Sequence, residues 1–203
     1  MSAIDPSYEP REGSRDLTHR DADWSALRVV VAGLGISGFA AADALSERGA
    51  VVTAVSADAT PTISERARIL EILDVDVRLG PEHLLDLPEG AELVVTSPGL
   101  RPDHPMLLAA EARGIPVWGE VELAWRMRAQ SGAAPWITIT GTNGKTTTVK
   151  MLASILGAAG LRTTSAGNVG TPLLEAVLHP EPYDVLAVEL SSFQLHWQRS
   201  VRP

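Results

Sequence analysis

The sequence predicts an α/β protein in which parallel strands alternate with covering helices. Three observations carry that prediction. Short β-branched runs recur along the chain, as in LRVVVA at 27–32, VVTAV at 51–55 and VLAVEL at 185–190. Stretches with apolar residues near helical spacing separate such runs, and two of the strands lead into a glycine turn that opens a helix. Continuously apolar strands are buried on both faces, the pattern of βαβ units with helices on either side of a sheet.

Each element follows from local sequence. The strand at 27–32 leads into Gly33-Leu34-Gly35-Ile36-Ser37-Gly38, after which Phe39, Ala42 and Leu45 mark a helix over 37–48 that Gly49 stops. A strand at 51–55, a helix at 64–73 and strands at 75–79 and 93–97 come next, the last ended by Pro98-Gly99. A helix at 105–113, a short strand at 115–118 and a helical stretch at 119–128 close the first unit. Gln130-Ser131-Gly132-Ala133-Ala134-Pro135 reads as a small-residue linker. The pattern then restarts: a strand at 136–140, a glycine turn at 141–145, a helix at 146–159 with Val149, Leu152 and Leu156 on one face, and the strand at 185–190. The expected organisation is a mobile tail at 1–26, a first α/β unit at 27–129 and an incomplete second unit at 130–203, with apolar strand edges left unpaired in the second.

Composition bounds the function. The 203 residues are 45% apolar and 21% charged, a balance suited to a folded core. Acids outnumber bases 25 to 17, for a net charge of -8, so a broad positive field for nucleic acid or an anionic membrane is excluded. The chain has no cysteine, which removes disulfides, zinc–thiolate sites, iron–sulfur clusters and thiol nucleophiles. No run approaches the roughly 18–20 apolar residues of a membrane span, and the first 23 residues carry no apolar signal segment. The expected address is the cytoplasm. Lys145 and Lys150 are the only lysines, so chemistry that needs an amine has two candidates.

The two glycine turns carry the chemistry. GxGxxG between a strand and a helix presents backbone N–H groups at the positive end of the helix dipole, where a diphosphate can sit; the alternative is a purely structural turn. A Rossmann-like dinucleotide site would place an acid about 20 residues on, at the end of the second strand. Ser56 occupies that place, followed by Ala57 and Asp58, which weighs against a nicotinamide-dependent oxidoreductase. The second turn, ITITGTNGKTTT at 137–148, resembles a phosphate-binding P-loop. The amides of Thr142 to Thr146 can wrap a β-phosphate, Lys145 can reach the β- and γ-oxygens, and the Thr146 hydroxyl can ligate Mg²⁺. Ile139 stands where the general P-loop pattern has its first glycine. Glu189, at the end of the strand at 185–190, is placed as a second Mg²⁺ ligand, direct or through water.

GTNGKTT (141–147), GNVGTP (167–172) and ELSSFQL (189–195) together resemble the Mur ligases of peptidoglycan synthesis. ELSSFQL, GLGISG and TSPGL (96–100), the last followed by His104-Pro105, resemble the branch of that family acting on UDP-N-acetylmuramoyl-L-alanine and D-glutamate. The likeness covers roughly 28–196. It implies ATP- and Mg²⁺-dependent amide synthesis through an acyl phosphate, on small-molecule substrates and by a monomer. It also implies an ATP site at Gly141, Thr142, Asn143, Gly144, Lys145, Thr146 and Thr147, with Lys145 and Glu189 catalytic and Thr146 and Glu189 on the metal. Gly33, Gly35, Ile36, Ser37 and Gly38, with Ser97, Pro98 and Gly99, would hold the UDP part. Asn168, Ser191 and Ser192 would line the cleft between substrate and nucleotide.

The resemblance also implies more than these residues hold. The family has an acid and a hydroxyl residue for the uridine after the second strand, where this sequence has Ser56 and Ala57. The family's central domain continues beyond ELSSFQL to a histidine-containing metal segment and a carbamylated lysine, and a third domain binds D-glutamate. A non-catalytic nucleotide- or UDP-sugar-binding module is therefore the competing reading. His19, His83, His179 and His196 lack metal-ligand spacing, and His104 reads as a helix-start residue. The five tryptophans read as core or boundary packing, Glu181 and Asp184 as solvated charge, and Arg126 and Arg128 as a solvated helix face. The 203-residue chain alone is expected to be catalytically incompetent: incubated with ATP, D-glutamate and UDP-N-acetylmuramoyl-L-alanine it should release no ligated product, as chromatography of the mixture would establish.

Overall fold

Val29 and Val31 face one side of the first sheet and Val30 and Ala32 the other, as the two-residue period of a strand requires. Both sides are covered, which is why the run contains no polar residue. A computed structural model describes residues 15–203. The first unit runs β1 (Arg28–Ala32), α1 (Ile36–Ser46), β2 (Val51–Ser56), α2 (Pro61–Ile72), β3 (Asp76–Leu79), a 3₁₀ turn at Pro81–Leu84, β4 (Leu93–Thr96), α3 (Pro105–Ala112), β5 (Val117–Gly119) and α4 (Glu120–Arg126). Its five strands are parallel in the order β3-β2-β1-β4-β5. The chain works outward from β1 to β3, then returns to β1's other side. The loops after β1 and β4 therefore flank a crevice at the point where the strand order reverses.

The second unit runs β6 (Trp136–Ile139), α5 (Lys145–Ala158), β7 (Thr163–Gly167), α6 (Leu173–Leu178), β8 (Val185–Glu189) and α7 (Ser192–His196). Its three strands are also parallel, in the order β6-β8-β7. Val149 on α5 is buried, while Leu152 and Leu156 are half-buried. Among the described residues β6 pairs only with β8, which leaves its other edge unpaired there, and Ile137 on one face of it is 42% exposed. β7 and α6 have no counterpart among the expected elements. TTSAG carries almost no apolar signal, and α6 is under two turns long.

One hydrophobic cluster joins the two units. Ala41 and Leu45 of α1, Val121 and Leu123 of α4, Leu173 and Leu174 of α6, and Leu186 and Val188 of β8 belong to it. Two carboxylates of α4 reinforce that contact. Glu120 Oε1 accepts the Leu173 N–H at 2.9 Å, and Glu122 Oε2 accepts the Arg199 and Ser200 N–H groups at 2.7 and 2.9 Å.

Two expectations need correction. Residues 1–14 of the expected mobile tail lie outside the described residues, but 15–26 is packed. Trp24 is 1% exposed and meets Trp118 edge to face, with ring centroids 6.5 Å apart. Arg20 donates its N–H to the Arg128 carbonyl and its Nη2 to the Val177 carbonyl. A few separated apolar residues suffice here because the polar groups between them find backbone partners. Arg126 and Arg128 are likewise not a solvated face. Arg126 Nε lies 2.7 Å from Glu122 Oε1 and its guanidinium covers the Trp118 ring, while Arg128 stacks on Trp125. Their planar heads bury against aromatic faces, which charge counting in sequence does not reveal.

Glu122 is completely buried. Burial pushes its carboxyl pKa up, but the N–H groups of Arg199 and Ser200, the Ser200 hydroxyl and the Arg126 guanidinium outweigh this and hold it below the ordinary value. A pKa lower in the folded than in the unfolded state means stability that is present above about pH 4.3 and is lost as pH falls through the folded value. E122Q should therefore lower the unfolding free energy at pH 7 by about 1–3 kcal/mol and flatten the acid limb of stability below pH 5, measured by urea denaturation across pH.

Candidate nucleotide site

The second sheet brings three strand ends to one level. Glu189 is in register with Ile139 of β6 on one side and with Gly167 of β7 on the other. The loop that follows β6, the loop that follows β7 and the last residue of β8 therefore meet. Thr142 to Thr147, Asn168 and Glu189 line an open cavity of about 350 Å³ at this point. Ile139, in the place of the usual first P-loop glycine, is the last residue of β6 and pairs in register with Glu189. Gly144 has φ +78° and caps the N-terminus of α5, so the turn reverses without a side-chain clash. Lys145 Nζ donates to the Gly141 carbonyl at 2.8 Å, on the rim of the cavity.

Glu189 is 1% exposed, and its carboxylate is held by neutral donors: the Thr146 hydroxyl on Oε2 and Asn168 Nδ2 on Oε1, each at 2.9 Å. A buried carboxylate with no cation against it is costly unless a cation arrives. The Thr146–Glu189 spacing suits one. Two neighbouring ligands of an octahedral Mg²⁺, each about 2.0–2.1 Å from the ion, stand about 2.9 Å apart. No group of three or more acids or histidines among the described residues could hold a metal by itself. Phosphate oxygens and water would complete the sphere, as Mg²⁺ prefers. The donor set fits the ion.

The first turn sits in the other crevice. Gly33 has φ +96°, and its carbonyl accepts the Ser97 hydroxyl at 2.9 Å, which ties the β1 loop to the β4 loop. A Cβ on Gly38 would collide with the Gly33 carbonyl, so the third glycine is needed for close packing. Around Gly35 and Gly99 the space is open, as an approaching ligand requires. Ile36 is 61% exposed, and Ser37 is half-buried at the start of α1. Pro98 lies between Ser97 and Gly99 in the facing turn. Ser191 and Ser192 stand apart from the cavity lining: Ser191 caps α7, its hydroxyl accepting the Gln194 N–H, and Ser192 is exposed.

Sequence reasoning missed Glu120. It is 3% exposed, and its two oxygens engage the Ser37 hydroxyl and the Leu173 N–H, so it touches the first turn and the helix that follows the Asn168 loop. The available signal was its company: an acid between Gly119 and Val121 in an otherwise buried stretch.

This arrangement, a parallel sheet with a glycine crevice joined to a P-loop sheet with a strand-end acid, coincides with two matches to known families. Residues 27–119 match the Mur ligase MurD-like N-terminal domain and residues 139–202 match the Mur ligase middle domain. The chain belongs to the Mur ligase family. Within it, the chain is 58% identical over 180 residues to the UDP-N-acetylmuramoylalanine--D-glutamate ligase of Streptomyces avermitilis, which covers 89% of this chain and 38% of the relative. The ligases of the same name from Streptomyces coelicolor and Leifsonia xyli subsp. xyli are 55% and 50% identical over 183 and 194 residues, covering 89% of this chain and 38% and 37% of theirs. The chain thus spans little more than a third of the length of these relatives.

Gly167, at the end of β7, has no room for a side chain. It has φ +100°, and a Cβ would strike the Glu189 carbonyl oxygen. G167A should destabilise the chain by more than about 1 kcal/mol in urea titration, since both the backbone conformation and the space oppose it.

Proposed function

We propose that this chain forms the nucleotide-binding front of a ligase that adds D-glutamate to UDP-N-acetylmuramoyl-L-alanine at the expense of ATP. The observation that carries the reading is the convergence of Lys145, Thr146, Asn168 and Glu189 on one cavity at the ends of three strands. The names of the relatives support the choice of substrates.

In this reading the L-alanine carboxylate of the UDP-sugar attacks the γ-phosphorus, the bond to the ADP oxygen breaks, and an acyl phosphate forms. The amine of D-glutamate then attacks the acyl carbon and phosphate leaves. Such phosphoryl transfer asks the protein for position and charge neutralisation rather than a nucleophile. The amides of Thr142 to Thr146 would cradle the β-phosphate, and Lys145 would swing from the Gly141 carbonyl to the β- and γ-oxygens. Thr146 and Glu189 would hold Mg²⁺, which when bound neutralises charge on those oxygens. Asn168 would keep Glu189 aimed. Gly33 to Gly38 with Ser97 to Gly99 would grip the uridine diphosphate, away from the reacting atoms. The working environment in this reading is the cytoplasm, with a monomer acting on small molecules. The net charge of -8 supports the exclusion of nucleic acid, and no helix among the described residues is long and apolar enough to cross a membrane.

Calorimetry with a non-hydrolysable ATP analogue tests the reading. The wild-type chain should bind the analogue in the presence of Mg²⁺, and K145A should weaken binding by about tenfold or more, the loss expected for one charge-assisted phosphate contact. E189Q should remove most of the Mg²⁺ dependence. Absence of binding, or binding indifferent to both substitutions, would overturn it.

A further inference from the structure

Glu120 is a buried carboxylate that the ligase chemistry above does not use. Among the described residues it makes no ion pair within 4.0 Å; its partners are the Ser37 hydroxyl on Oε2 and the Leu173 N–H on Oε1, with the Leu174 N–H at 3.4 Å. Holding a carboxylate dry on neutral donors costs more than an apolar side chain of the same size would. Packing alone therefore does not account for it. Its two partners belong to different units. Ser37 is in the first glycine turn, and Leu173 opens α6 directly after the 167–172 loop. That loop carries Asn168, which holds Glu189, which in turn holds Thr146. A route of hydrogen bonds and the 168–173 backbone thus runs from the turn at β1 to the cavity at β8, and Glu120 links the two units along it.

We propose that Glu120 is a positioning residue that couples the two anion sites, so that ordering one pre-orders the other. The inference rests on the reading of the first turn as a uridine diphosphate site and the second as a Mg-ATP site. Its physical basis is shared ordering. A ligand that stills the 33–38 turn fixes Ser37 and, through Glu120, the start of α6. A ligand at the second site, through Asn168, meets a loop that has already lost part of its freedom. The coupling is reciprocal by necessity.

The test measures UDP affinity of the 203-residue chain with and without a saturating Mg²⁺-bound ATP analogue. The wild-type chain should bind UDP about fivefold or more tightly when the second site is full, the lower end of ordinary coupling. Hydrogen exchange at the Leu173 amide should also slow when UDP is added. E120A should bring the affinity ratio to about one, and E120Q should restore part of it, because its amide can still accept from Leu173 and donate to the Ser37 oxygen. S37A cuts only the first-turn end, keeps the Glu120–Leu173 bond, and serves if E120A does not fold. The ratio is the readout, not either affinity. A wild-type ratio of one, or a ratio that survives both E120A and S37A, overturns the coupling while leaving the two sites standing. A wild-type chain that binds neither ligand sinks the functional reading and the coupling together.

Discussion

The pairing of β8 with both of its neighbours is the constraint on which the rest depends. Because Ile139, Glu189 and Gly167 occupy one level of the sheet, the chain delivers a glycine turn, a carboxylate and an amide side chain to a single place from three distant segments. A slip of one residue would turn Glu189 to the opposite face of the sheet and place Val188 at the cavity. The Leu190 N–H to the Ile139 carbonyl and the Asn168 N–H to the Glu189 carbonyl, at 3.0 and 2.9 Å, continue the ladder past the strand ends and guard against that slip. The small residue at 167 lets β7 close on β8 at this level, so the requirement for glycine there and the position of the acid are one fact.

A second theme is that carboxylates join the two units where apolar contact alone would leave them free to slide. α4 is seven residues long and supplies two acids on roughly opposite sides, Glu120 toward α1 and α6, Glu122 toward the segment after α7. Amide N–H groups at segment starts have no partner of their own, and these carboxylates supply one. The apolar residues that alternate with them, Val121 and Leu123, fill the cluster shared by both units. Hydrophobic burial brings the surfaces together; directional bonds from the same helix set their register. Arg126, held between Glu122 and the Trp118 ring, completes the junction.

Legibility in sequence followed physical redundancy. Strands such as 29–32 and 93–96 could be read because every residue is buried, and the glycine turns because their backbone geometry admits few spellings. β7 was illegible because three of its five residues are threonine or serine and it sits at a sheet edge with little buried. The stretch 15–26 was illegible because Leu17 and Trp24 are isolated apolar residues whose burial depends on distant segments, as where Trp24 meets Trp118. Arg126 and Arg128 look like any helical surface until the tryptophans they cover are placed. Within the nucleotide site, Lys145, Thr146 and Glu189 were legible from spacing to a strand or turn, whereas the grouping of Asn168 with them came through resemblance.

What the sequence by itself determined is local: the alternation of strand and helix, two phosphate-suited turns, the exclusion of thiol chemistry and the candidacy of Lys145, Thr146 and Glu189. These follow from backbone sterics and side-chain chemistry that act over a few residues. Only the tertiary structure decided that Asn168 holds Glu189, that Glu120 stands between the two turns, and that residues from 15 onward are part of the core. Each of those joins groups separated by 21 to 157 residues along the chain, and no local rule spans such a gap; strand register and the burial of a shared apolar cluster set the contact.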